Sequence, residues 1–396
     1  MKVIKKIFDK ARPYVEEGGK FEKLHSTFEA FESLFFVPAT TNKNGVHVRD
    51  YMDMKRAMII VVFAVIPSLL FGIWNTGYQH FKALGIETTF WDMVVHGLIK
   101  VLPIIVVSYV TGLSIEFGFA QWRKHEVNEG FLVTGMLIPL VLPVNIPLWM
   151  VVIATAFAVV IGKEIFGGTG MNIWNPALLA RAFLFFAYPS KMSGDTAWIS
   201  GLTKGEGIID GFSGATPLAD AANGNAIPSL WDSFIGIIPG SIGETSTAAI
   251  LLGAILLLYT GIGSWKIMFS VFAGGFLMAL TFNWTGTTPM MQVSAIQHLC
   301  LGGFAFGAVF MATDPVSATR TETGKWIYGF LIGVFAILLR VLNPAYPEGM
   351  MLAILFMNTF APLIDHFVVN ANIKRRLKRP YEQIFKLYDN EGVNYY

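Results

Sequence analysis

The chain has 396 residues, 54% of them hydrophobic and 14% charged, where a soluble domain carries about 25% charge. That balance excludes a soluble globular fold for most of the length and predicts an all-α polytopic membrane protein. A net charge of +2 gives a nucleic-acid partner no support. The single cysteine, Cys300, excludes a disulfide framework or a cysteine-ligated iron–sulfur cluster within one chain.

The first 55 residues are polar and mixed in charge, and they read as a soluble N-terminal extension. Phe28, Phe31 and Phe35 space out one apolar stripe within it. The first long apolar run begins near Ala57, too late for a signal peptide. Crossing a bilayer core of about 30 Å takes about 20 apolar residues as a helix. Ten candidate segments follow, near residues 57–75, 97–116, 131–144, 147–163, 176–188, 248–262, 266–283, 298–312, 326–342 and 349–368. The third, fifth and eighth are short and bounded or interrupted by Pro139, Pro143, Pro176, Pro189, Gly302, Gly303 and Gly307. The division expected is an extension 1–55, a first half 56–188, an intervening loop 189–247, a second half 248–369 and a basic tail 370–396.

Cytoplasmic loops hold the excess of Lys and Arg. The tail Lys374-Arg375-Arg376-Leu377-Lys378-Arg379 therefore marks the inside, and an even number of crossings puts both termini there. Arg123 and Lys124, Lys163, Lys266, Arg320 and Lys325 fall on the same side. The loops Val144-Asn145-Ile146 and 283–292 carry no charge and fall outside, as does the loop 189–247. Asn175-Pro176-Ala177 recurs as Asn343-Pro344-Ala345, 168 residues on, and Pro143 has a counterpart in Pro315, 172 residues on. Similar offsets with opposite sidedness predict two inverted five-helix repeats, a plan that places binding sites on broken helices at the repeat interface.

Four constellations are candidates for chemistry. Asp210-Gly211-Phe212-Ser213-Gly214-Ala215-Thr216 offers a hydroxyl in an open, small-residue loop stiffened by Pro217. It resembles the acceptor motif on which a flavin transferase esterifies a threonine with FMN, and an ordinary loop is the alternative. In Gly167-Gly168-Thr169-Gly170-Met171-Asn172-Ile173-Trp174-Asn175-Pro176, Asn172 and Asn175 stand one turn apart and present amides suited to the polar edge of a flavin ring. The alternative is a re-entrant turn that Asn175 caps. Glu116, Asp365, Arg181 and Arg340 interrupt apolar sequence. Ionisable groups at membrane depth mark pathways or pair with one another. Glu116 and Asp365 fall near the inner face, where an entering cation meets them or where they simply reach water. Arg181 suits a phosphate or a buried acid, and Arg340 is expected to snorkel to the outer surface. Asp314, in Met311-Ala312-Thr313-Asp314-Pro315-Val316-Ser317, caps a turn or borders a cation site. No His/Cys cluster has metal-ligand spacing and no dinucleotide fingerprint follows a strand.

Taken together, these segments resemble the B subunits of the Na⁺-translocating NADH:quinone oxidoreductases. The likeness runs through His47-Val48-Arg49-Asp50, residues 123–131, residues 166–176, Arg181-Ala182-Phe183-Leu184-Phe185-Phe186-Ala187-Tyr188-Pro189, residues 213–216, Ile238-Pro239-Gly240-Ser241-Ile242-Gly243-Glu244, residues 312–317 and 343–349. The corresponding membrane protein of the related Rnf complex shares the threonine and glycine segments but lacks such an extension. The resemblance implies a urea-channel-like fold in a bacterial inner membrane. It implies FMN on Thr216, within the motif of Asp210, Ser213, Gly214 and Ala215, and riboflavin near Asn172 and Asn175. It implies Na⁺ uptake at Glu116 and Asp365, and a pocket for ubiquinone or menaquinone at Gly112. Leu113 stands where that pattern has a second glycine. The implied partners are an NADH-oxidising flavoprotein and iron–sulfur subunit, an external FMN subunit, small membrane subunits and the flavin transferase. An Rnf-type electron-transfer subunit and a passive channel of the same fold are the alternatives.

Overall fold

The computed structural model describes residues 54–123, 130–194, 196–201, 214–343 and 349–377, with a few positions of the N-terminal stretch. Most of the expected extension, including Phe31 and Phe35, lies outside the described residues, as do Lys124, Asp210, Ser213, Pro344, Ala345 and the tail beyond Leu377.

Every regular element among the described residues is helical, and the chain is a polytopic membrane protein. Helices α1 (Met54–Leu84) and α2 (Phe90–Arg123) are 31 and 34 residues long, about 46 and 51 Å at 1.5 Å per residue. Both outreach the hydrocarbon core. They carry Pro67 and Pro103 inside them, which neighbouring helices make tolerable in a membrane. α3 (Phe131–Leu140) stops just after Pro139. α4 (Leu148–Val159) loosens into a π turn, Val160–Glu164. α5 (Pro176–Ala187) completes the first half. The described part of the intervening loop carries the single turn Pro189–Met192 and the short helices α6 (Pro217–Asn223) and α7 (Leu230–Ile235).

The second half opens with α8 (Thr247–Tyr259) and α9 (Trp265–Thr285). Its third segment is broken: α10 (Ala295–Cys300) ends at Leu301-Gly302-Gly303, and α11 (Phe304–Phe306) runs directly into a π turn, Gly307–Met311. α12 (Glu322–Leu342) and α13 (Gly349–Leu377) complete it. Five helices, α1, α2, α9, α12 and α13, are long and apolar enough to span. The sixth segment, α8, joins the short ones anticipated from sequence, because Gly261 turns the chain in the left-handed region at φ +72°.

The two halves repeat one packing scheme. In the first, α2 packs on α3 and α4, and α5 packs on α3 and α4. In the second, α9 packs on α10 and α12, and α13 packs on α12 and on the π turn after α11. The halves meet where α1 lies on α8 and α5 on α13. Lipid gives no hydrophobic drive for helix association, so close backbone approach at small residues does that work. At the α9–α12 crossing, a Cβ on Gly274 would fall 2.2 Å from the Phe330 carbonyl oxygen, and one on Gly333 2.1 Å from that of Val271. Gly333→Val is therefore expected to prevent recovery of monodisperse protein by size exclusion. Gly118→Ala, where a Cβ meets nothing within 4 Å, leaves the profile unchanged.

Candidate functional site

Thr216 starts α6. Its backbone is extended (φ −76°, ψ 153°), its Oγ1 accepts from the Ala219 N–H at 3.3 Å, and Pro217 sets the first helical residue. This is ordinary N-cap chemistry, and it fixes the direction of the side chain. The residue is half-buried and lines a cavity between the two halves. The walls come from α5, the segment after α7, the break after α10 and the start of α13. They are largely apolar, with Leu178, Ile238, Met311, Met350, Met351 and Ile354 facing inward. An apolar lining with a few convergent polar groups is that of a small-molecule pocket. Gly214 is buried and Ala215 half-buried beside Thr216.

The polar part of this wall is charged and buried. Arg181, on α5, donates from Nη1 to Glu244 Oε1 at 2.5 Å and from Nη2 to Ser241 Oγ at 3.3 Å. Arg340 does not snorkel outward as expected. It is 1% exposed and lines the same cavity. Its Nη1 donates to the His298 carbonyl at 2.6 Å and Nη2 to the Leu301 carbonyl at 3.1 Å, closing the end of broken α10. The reason is tertiary. The last turn of α12 is covered by the broken segment and α13, and the groups within its reach are the unpaired carbonyls of a helix end rather than lipid headgroups. Glu244 has only one local signal in the sequence, an isolated acid in uncharged surroundings just before an apolar run, and nothing local pairs it with Arg181, 63 residues away.

The glycine segment folds as a tight re-entrant turn. Gly167, Gly168 and Gly170 take φ of +120°, +97° and +91°, a region L side chains rarely adopt. Asn175 caps α5, its Oδ1 accepting from the N–H groups of Ala177 at 3.0 Å and Leu178 at 3.4 Å. Asn172 Nδ2 donates to the Trp174 carbonyl at 3.0 Å. Both asparagines line a second cavity, together with Lys163, Thr169, Phe310, Thr313 and Asp314. Asp314 holds its own turn, accepting from the Val316 N–H at 3.3 Å and from Ser317 Oγ at 2.6 Å. The two cavities flank α5 and the π turn Gly307–Met311. Asn175 and Arg181, one on each, are six residues apart, about 9 Å along a helix.

The remaining candidates do not converge on either cavity. Glu116 on α2 is 5% exposed and ion-paired with Lys163, itself 3% exposed at the π turn. Lys163 is thus a buried partner rather than the loop cation the charge pattern implied. Beside them Arg123 donates to Glu164 Oε2 at 3.2 Å and to the Glu164 carbonyl at 2.7 Å. Asp365 is half-buried near the start of α12. Its carboxylate accepts from the N–H of Arg320 at 2.8 Å, the N–H of Thr321 at 3.0 Å and the Thr321 hydroxyl at 2.5 Å. Gly112 is buried under the Phe131 ring, whose Cζ would lie 1.8 Å from an added Cβ.

Comparison with known proteins identifies what is similar to this chain. A family model, the NQR2, RnfD, RnfE family, matches residues 41–374. The B subunit of the Na(+)-translocating NADH-quinone reductase of Ectopseudomonas mendocina (strain ymp) is 50% identical, the alignment covering 95% of this chain and 99% of that protein. The proteins of the same name from Chromohalobacter salexigens and from Azotobacter vinelandii (strain DJ / ATCC BAA-1303) are each 49% identical over 95% of this chain, covering 96% and 99% of their own lengths.

Proposed function

Because the chain belongs to the NQR2, RnfD, RnfE family, we propose that it is the membrane subunit of a redox-driven Na⁺ pump, an NADH:quinone oxidoreductase of several subunits. In this reading it passes electrons from FMN on Thr216, by way of riboflavin near Asn172 and Asn175, to ubiquinone or menaquinone. The observation that carries it is the position of the Thr216 hydroxyl, on the wall of a largely apolar cavity furnished with two buried arginines. A channel has no need of a slot of this kind at a half-buried threonine.

The residues present fit such a group. Thr216 supplies the ester oxygen, Arg181 and Arg340 supply positive charge near a phosphate or ring edge, and the leucine, isoleucine and methionine walls exclude water from a flat aromatic system. FMN, when bound, supplies reversible electron uptake; the chain supplies attachment, orientation and electrostatics. Asn172 offers an amide to the second cavity, and Lys163 and Asp314 add charged groups to its lining. Glu116 and Asp365 are the proposed Na⁺ uptake acids, on the inner side, with Thr216 and its loop on the outer side of a bacterial inner membrane. The NADH-oxidising flavoprotein, the external FMN subunit and the flavin transferase are the proposed partners. Gly112 and Phe131 form the proposed quinone contact, the ring moving aside for the headgroup.

The energy scale permits the coupling. One charge moved against about 100 mV costs about 2.3 kcal/mol. Two electrons falling through about 100 mV release about 4.6 kcal/mol. The test is intact-mass spectrometry of the chain purified from its native membrane. The expected result is one FMN less one water above the sequence mass, with the adduct on the peptide containing Thr216; an unmodified mass sinks the reading.

A further inference from the structure

Arg340 does more in this fold than close a helix. Two of its nitrogens are occupied by the His298 and Leu301 carbonyls, but Nε has no hydrogen-bond partner among the described residues. A buried donor left without an acceptor costs about 1–3 kcal/mol, and more when the group is charged. Tying down the end of α10 accounts for the two terminal nitrogens and leaves Nε unexplained.

The surroundings say what sort of acceptor would suit it. A Cβ on Gly302 would lie 3.4 Å from Arg340 Nη2 and 2.7 Å from Leu218 Cδ1, so the guanidinium stands beside the first turn of the helix that Thr216 caps. Glu244, the acid of this cavity, is already held by Arg181 at 2.5 Å. Among the described lining residues there are thus two cations, Arg181 and Arg340, against one carboxylate, Glu244. The rest of the wall is apolar or neutral. In low dielectric a surplus positive charge is expensive unless an anion or a strong acceptor complements it.

We propose that Arg340 is the positioning residue for the ring of the nucleotide esterified to Thr216. Its Nε–H donates to an acceptor on the ring edge, and its charge favours the more negative, reduced state of that ring, which raises the midpoint potential. This rests on the reading of Thr216 as the flavin attachment point.

Arg340→Lys and Arg340→Gln separate this role from a structural one. Glutamine loses the charge and ends near the Nε position, short of the two carbonyls that the Nη atoms reach, whereas lysine keeps the charge and loses the fork. Each variant is made in the full complex, with the flavin transferase present. Two quantities are read: flavin fluorescence of this chain's band on a denaturing gel, and the midpoint potential of the flavin component that disappears in Thr216→Ala. The expected result is a fluorescent band in both, a clear negative shift in Arg340→Gln, and a smaller shift in Arg340→Lys. An Arg340→Gln potential equal to wild type overturns the proposal, and so does an equal shift in both variants. A dark wild-type band would instead refute the Thr216 reading beneath it, so the two failures are distinguishable.

Discussion

Thr216→Ala is expected to remove all covalent flavin from this chain. In-gel fluorescence of the band should fall to background while the protein still accumulates in the membrane. Phosphoester attachment needs a hydroxyl, and alanine has none. The competing explanation for such a loss is misfolding, and the geometry makes it weak. Thr216 caps only the seven-residue α6, through one contact of 3.3 Å to Ala219. Removing a cap of this type costs about 0.5–2 kcal/mol. α6 also stays anchored by buried Pro217, Leu218 and Ala221. Persistent fluorescence in Thr216→Ala would show that the ester lies elsewhere.

Lys163→Met is expected to be the most destabilising of the charge changes. It strands the Glu116 carboxylate, 5% exposed, among apolar helices. Breaking a buried ion pair by removing one partner costs about 3–5 kcal/mol, because the remaining charge has lost both water and partner. Glu116→Gln should cost less, since a neutral amide can still accept from the lysine. The double variant Lys163→Met/Glu116→Met should recover most of the loss, as apolar replacement of a whole buried pair is often neutral. Thermal unfolding of wild type, the two single methionine variants and the double variant in detergent gives the coupling directly as a double-mutant cycle. Additive losses would mean that the two groups do not depend on each other. If Glu116 also takes up Na⁺, Glu116→Gln raises the Na⁺ concentration needed for half-maximal quinone reduction beyond what its stability change explains.

The pair matters for a second reason. Its lysine lines the cavity that also holds Asn172 and Asn175, while its carboxylate belongs to α2. A change of charge in that cavity would therefore be felt at Glu116 through one buried contact, a short route between that cavity and a candidate Na⁺ acid. Asp365 lines neither cavity. Its oxygens are committed to the start of α12 through Arg320 and Thr321, so its exchange with a cation would compete with a helix cap.

The sequence by itself determined where the membrane segments lie, because hydropathy and breaker residues act locally. All ten expected segments have helical counterparts, and the fractures fall where Pro139, Pro176, Gly302 and Gly303 put them. The cap of Asn175 was legible for the same reason, since it needs only neighbours within a turn. Only the tertiary structure decided which charges meet. Glu116 finds Lys163 across 47 residues and Arg181 finds Glu244 across 63, and Arg340 turns inward to a broken helix instead of outward to water. A buried charge is satisfied by whichever group the fold carries to it, and that is a property of packing between distant segments, which no local pattern records.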